Sequence, residues 1–153
     1  MQVNGYLIPE LHFIFRLDGE EMGTFQTVSG LGAQIEMFSI REGGENQYVH
    51  QKPGRMIWNN LVLKSGVTNA DIFLPWLMKL SGDVYALLGH QNLISRGAGV
   101  LEMCDFDGSM VKSWEFDHAI PVRWTGPDMS IDAGQIATEE LEIAHHGLRP
   151  IVP

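Results

Sequence analysis

Long hydrophobic runs are missing. Nowhere in the 153 residues do about 18 apolar residues follow one another, which excludes a membrane-spanning helix, and no membrane insertion by the monomer is expected. Basic residues are few: ten Lys and Arg, scattered along the chain, stand against nineteen Asp and Glu. A formal charge of −9 excludes a clustered phosphate-binding surface and, with it, specific recognition of nucleic-acid sequence. Cysteine occurs once, at Cys104, so no intrachain disulfide can form. In a strand-like run it reads as a small buried apolar residue in a reducing compartment. The N-terminal "MQVNGYLIPE" lacks the basic start and apolar stretch of a secretion signal, and the chain is expected to fold where it is made.

Motifs for chemistry are equally scarce. Of the six histidines, His145 and His146 are adjacent in a strand-like run and would point to opposite faces. His12, His50, His90 and His118 have no histidine partner at ligand spacing, and no H-E-x-x-H occurs. Gly30 and Gly32 lack the third glycine of a dinucleotide loop, and Gly97-Ala98-Gly99 leads into a strand rather than a helix. Gly43-Gly44 is flanked by Glu42 and Glu45, which repel phosphate. "CDFDGS" holds only part of a calcium loop and reads as a turn. No G-x-S-x-G is present. No enzyme activity, metal or cofactor is expected.

What is present is strand patterning over one domain's length, 1–153. Leu11, Phe13, Phe15 and Leu17 recur at period two, Asp18-Gly19 marks a hairpin, and a second strand covers Phe25 to Val28. "SGLG" breaks the pattern before an extended run through Ile35, Met37 and Ile40. "MIWNNLVLKSG" reads as one further strand. A helix is expected at about 69–81, capped by Thr68 or Asn69 with Asp71 in its first turn. Its apolar stripe is Phe73, Leu77 and Leu80 beside Ile72 and Trp76, and Pro75 forces a kink or a late start. "VLEMCDFDGSMVKSWEF" reads as a hairpin about Asp107-Gly108. Even positions Trp114, Phe116, Ile120, Val122 and Trp124 are apolar, and Pro121 suggests an edge or bend. In the last strand Leu141 and Ile143 alternate with Glu140 and Glu142. Many short strands and a single helix imply a mainly β fold, a mostly antiparallel sandwich or barrel. Between the third and fourth strands lies "REGGENQYVHQKPG", 41–54, expected as a long extended loop, and such loops carry function or are solvated.

Six segments in order carry a resemblance: "GTFQTVSGLGAQIEMFSIREGGEN", "KPG", "NLVLKSG", "PW" in the helix, "VKSWEFDHAIPVRWTGP" and "EELEIAHHGL". Over residues 11–149 the chain resembles the inner tube proteins of contractile injection systems and phage tails. Ser65 and His146 depart from the family's usual basic and acidic residues. The resemblance implies a fold like that of the type VI secretion tube protein, two packed antiparallel sheets forming a barrel-like body with one helix at the side, and stacked hexameric rings inside a contractile sheath. It implies as partners the chain itself, the sheath, baseplate or spike and tube-terminator proteins, and cargo in the lumen. It places the protein in the bacterial cytoplasm during assembly and then in a tail or released tail-like particle. The long segment would contact neighbouring subunits through Arg41, Glu42, Gly43, Gly44, Glu45, Asn46, Tyr48 and Lys52. Glu140 and Glu142 are candidates to face the lumen. A tube-initiating or baseplate-proximal homologue is the alternative within the class, and a monomeric ligand-binding β-barrel the alternative outside it.

Overall fold

A computed structural model describes residues 2–3, 6–7, 11–40, 43–44, 49–66, 73–80, 97–127 and 138–151. In chain order the elements are β1 (Gln2–Val3), β2 (Tyr6–Leu7), β3 (His12–Leu17), β4 (Glu20–Phe25), β5 (Thr27–Ser29) and β6 (Ala33–Ile40). Then come β7 (His50–Trp58), β8 (Leu61–Gly66), α1 (Phe73–Leu80), β9 (Gly97–Cys104), β10 (Met110–Thr125), β11 (Thr138–Ala144) and β12 (Leu148–Ile151).

One antiparallel sheet makes the body, in the order β4-β3-β9-β10-β11-β8-β5, with β12 added to β10. The turns follow local chemistry. Asp18 and Gly19 both take positive φ, 51° and 86°, the two-residue geometry that matches strand twist. Between β9 and β10, Asp105 Oδ1 accepts the backbone N–H groups of Asp107 and Ser109, and Gly108 turns at φ 80°.

Strand β10 is the corner of the body. Its first part pairs with β9 and β12, and its second part with β11. Its register shifts three times, between Met110 and Lys112, between Phe116 and Ala119 and between Pro121 and Arg123, and the last two are bulges in the middle of the strand. They explain why the even-position reading fails in the middle. Trp114 and Phe116 pack inward, the first bulge hands the core to Ala119 and Pro121, and the second returns it to Trp124. Val122, expected inside, is exposed. Each bulge adds a residue on one strand and so inverts the two-residue period beyond it. The bend at Pro121 is real, although it lies within a strand paired on β11.

The sheet curls so that β4 lies beside β8, and Gln26 N–H, between β4 and β5, donates to Lys64 O at 2.9 Å; among the described residues β4 and β5 remain its end strands. Its interior is filled by side chains. Phe15 stacks on Phe116 at 5.9 Å, with Phe25, Leu61, Leu63, Leu101, Leu141 and Ile143 around them. Such a filled interior argues against the ligand-binding barrel. Gly99 lies under the Phe116 ring, where a Cβ would collide with it. Helix α1 covers one side, with Phe73 on Phe25 at 5.5 Å and Trp76 on Phe15 at 6.0 Å. Pro75 sits in its first turn, where the missing N–H costs no helical hydrogen bond. The expected cap residues Thr68 and Asn69, together with Asp71 and Ile72, lie outside the described residues.

Part of the expected loop at 41–54 is strand. Residues His50 to Gly54 belong to β7, which pairs with β6 in a separate two-stranded ribbon. The run read as one strand, "MIWNNLVLKSG", is divided at Asn59-Asn60, where the chain passes from this ribbon back to the body.

Candidate assembly interface: an exposed arm and its root

The β6–β7 ribbon stands off the body as an arm. No side chain described between Ala33 and Ile57 is buried. Phe38 is 57% and Met37 51% exposed, whereas Phe15 and Leu63 in the body are at 0%. Register sorts the arm's two faces. Ala33 opposes Trp58, Ile35 opposes Met56, Met37 opposes Pro53 and Ser39 opposes Gln51, so this face carries no charge. The other face is mixed: Gln34 opposes Ile57, Phe38 opposes Lys52 and Ile40 opposes His50, with Glu36 at 3.9 Å from Arg55. A register shift between Ile35 and Met37 fits an extra residue into β7. Beside it the Phe38 ring lies across Gly54, where a Cβ would displace it.

The root holds the arm to the body by several polar contacts. Asn59 N–H donates to Gly32 O at 3.2 Å, and Asn60 Nδ2 donates to Glu142 Oε1 at 2.8 Å. Gly30, at φ 84°, lies so close to the Asn60 carbonyl that any Cβ would overlap it. That contact explains why "SGLG" opens the arm.

His145 completes the root. Its Nε2 lies 2.9 Å from Asn59 O, and its Nδ1 accepts the Gly147 N–H at 3.1 Å. One nitrogen must therefore donate while the other accepts, which only the neutral ring can do. Burial holds the His145 pKa below its ordinary value, against the pull of these two bonds. Its ring packs on Trp58 at 6.0 Å and on Phe116 at 5.5 Å, and Gly147 lies under the Trp58 indole. One imidazole thus touches both arm and core.

The sequence-predicted residues fall as follows. Gly43 and Gly44 form an exposed turn, with Gly44 at φ 114°. Lys52 is exposed on the mixed face of the arm. Arg41, Glu42, Glu45, Asn46 and Tyr48 lie outside the described residues. Glu140 and Glu142 share the outer face of β11, away from Leu141 and Ile143. There Lys64 Nζ meets Glu140 at 2.9 Å, and Arg123 meets Glu142 at 2.9 Å and Glu140 at 3.5 Å. The two carboxylates are balanced by two cations.

Two features were not read from the sequence. The arm carries exposed apolar residues as well as charges, and the signal was alternation on both sides of 41–49. Glu139 is buried on the core side of β11 and accepts the Trp124 indole N–H at 3.3 Å, pinning the corner before Pro127. Among the described residues no group of three or more metal-ligating side chains converges. His118 and His146 stack at 4.4 Å. Ser109 and Lys112 stand at Ser-x-x-Lys spacing, but the Lys112 ammonium lies 5.2 Å over the Trp114 ring. Burial raises the Cys104 thiol pKa, the reverse of a nucleophile's environment. The arrangement offers contact surfaces.

The chain is similar to a component of the anti-feeding prophage baseplate, with TM-score 0.71 and 23% identity over 98% of this chain and 97% of the other. It is similar to a chain of the PVC extracellular contractile injection system sheath-tube complex, with TM-score 0.71 and 20% identity over 98% and 95%. Hcp1 from Flavobacterium johnsoniae is more distant, with TM-score 0.52 and 11% identity over 90% and 93%. No curated protein sequence matches. A family model described as T4-like virus tail tube protein gp19 matches residues 9–149, nearly the whole chain, and the protein belongs to that tail tube family.

Proposed function

We propose that this protein is the inner-tube subunit of a contractile injection system, assembling into stacked hexameric rings within a contractile sheath. The tube is the conduit driven through a target envelope. The observation that carries the reading is the arm: a two-stranded ribbon with an uncharged apolar face and no core of its own, on a body already packed. Two-stranded ribbons are at best marginal alone in water. Burying one large apolar side chain contributes ~1.5–3 kcal/mol, so a neighbouring subunit that covers Ile35, Met37 and Met56 supplies what the ribbon lacks.

Residues Arg41 to Asn46, Tyr48 and Lys52 then belong to a subunit contact that starts from the ribbon. Glu140 and Glu142 line the lumen together with Lys64 and Arg123, giving a wall of mixed charge rather than an acidic one. The partners are further copies, the sheath, baseplate or spike proteins and a terminator. Assembly takes place in the bacterial cytoplasm, and the product is a tail or tail-like particle with room for cargo in its lumen. Likeness to a chain of a baseplate structure keeps a baseplate-proximal ring as the second reading.

Light scattering after size exclusion, with electron microscopy, tests this. Wild type should form rings or tubes as concentration rises, and Met37→Ser/Phe38→Ser should remain monomeric and folded. A wild-type protein that stays monomeric, or an arm variant that assembles normally, would overturn it.

A further inference from the structure

Phe106, at 77%, has the greatest exposure among the large apolar side chains described. It is held there by a stiff turn. Asp105 N–H donates to Ser109 O, Gly108 N–H donates to Asp105 O, and Asp105 Oδ1 takes two more backbone donors. Exposure of an aromatic ring on a preorganised loop carries little ordering cost on binding. Met110 and Val111, both about half exposed, extend the apolar surface from the tip into β10. Asp105 and Asp107 flank the ring with negative charge.

A ring or stack of one chain is built from heterologous contacts, in which a patch on one copy meets a different patch on the next. Two such patches stand on this molecule. The arm offers Phe38, Ile40 and Ile57 beside Lys52 and Arg55, and the β9–β10 tip offers Phe106 and Met110 beside Asp105 and Asp107. Lys52 makes no ion pair among the described residues, and the Arg55–Glu36 contact is long at 3.9 Å. An acidic aromatic knob and a basic aromatic ribbon are complementary in charge and alike in apolar surface. The high exposure of Phe106 means that the arm of its own copy does not cover it.

We propose that the β9–β10 turn is the docking knob for the arm of a second copy: Phe106 seats against the mixed face of the β6–β7 ribbon, with Asp107 facing Lys52. This rests on the self-assembling reading above and names the surfaces that meet. Specificity lies in the charges and adhesion in the ring, since exposed ion pairs are individually weak.

The test uses the full chain. Phe106→Ala should keep the wild-type thermal melt while raising the concentration needed for half-maximal assembly at least ~tenfold, as loss of an aromatic anchor does. Asp107→Lys and Lys52→Glu should each weaken assembly, and the double exchange should recover most of it. If Phe106→Ala assembles like wild type, or the double exchange is no better than the worse single variant, the knob is wrong while the tube reading stands. A normal Phe106→Ala tube that fails only to bind sheath protein would assign the tip to the sheath and equally overturn it. Wild-type protein that never assembles would remove both readings.

Discussion

The body and the arm are built from the same strand geometry, yet they solve different problems. In the body every strand from β3 to β11 that joins the large sheet turns one face to shared aromatic and aliphatic packing, with Phe15, Phe116, Leu63 and Ile143 almost fully enclosed. In the arm the ladder runs from Ala33–Trp58 to Ile40–His50 with one register shift, and no described side chain is enclosed. Backbone pairing alone is therefore not what separates them. What the body has and the arm lacks is a second layer, and apolar burial is the dominant favourable term in folding. The arm is a single layer, fastened at Gly30–Gly32 and Asn59–Asn60 and open beyond.

The comparison predicts an ordering of mutational costs. The largest belongs to the body's centre. Phe116→Ala removes the ring stacked on Phe15 and lying over Gly99, and it should cost ~3–5 kcal/mol in denaturant unfolding. Phe38→Ala in the arm should cost the monomer far less. Similar losses for the two would erase the distinction drawn between the regions.

Next comes the root. Gly30→Ala demands a left-handed alanine, at ~1–2 kcal/mol, and also drives a Cβ into the Asn60 carbonyl. Part of the penalty should be relieved by moving the arm. Hydrogen exchange at Asn59 should therefore rise in this variant more than exchange at the centre of β3. Uniform acceleration would mean that Gly30 supports the body and that the root is no separate joint.

Smaller still, for the isolated chain, is the arm itself. Met37→Ser/Phe38→Ser should shift monomer stability by no more than about 0.5 kcal/mol, as surface changes usually do. Its effect should appear only when copies meet. A monomer destabilised by several kcal/mol would show that the ribbon packs on its own body.

How far the sequence could be read follows from the same contrast. Where local chemistry decides, it was legible: the Asp18-Gly19 and Asp107-Gly108 turns, the alternation of β3 and β11, and the helix around Pro75. Where long-range register decides, it was not. The bulges in β10 depend on how β9 and β11 pair with it, so Val122 and Ala119 exchanged sides against expectation. The arm was misread as a loop from His50 to Gly54, because Gln51, Lys52, Pro53 and Gly54 are poor strand formers individually. They are strand only because β6 pairs with them. The apolar arm face was visible as Ile35, Met37 and Met56, but its exposure was not, since a buried and an unpartnered strand share one pattern. The role of His145 was hidden altogether, because nothing near it in sequence announces Asn59 or Trp58.

That histidine sets the smallest effect and ties the regions together. In the folded chain the Gly147 N–H occupies Nδ1 and the Asn59 carbonyl faces Nε2, and burial, with a minor contribution from the charge of His146, lowers the pKa. The facing rings, Trp58 and Phe116, offer no compensating charge. A folded pKa below the unfolded value of ~6.5 means that the unfolded chain binds the proton first. The contribution to stability is then fully present above about pH 6.5 and is lost as pH falls from there towards the depressed folded value. Protonation fills the acceptor at Nδ1 and releases the Gly147 N–H, so the loss should begin at the root. His145→Gln titrates nowhere in this range. Wild type should lose stability relative to this variant between pH 7 and pH 5, with exchange at Asn59 and Gly147 rising before that of the β3–β9 core. Contributions common to both proteins cancel in the difference. A difference that stays flat with pH would mean that the imidazole is replaceable packing at the root, and that arm and body are joined by the Gly30–Asn60 contact without it.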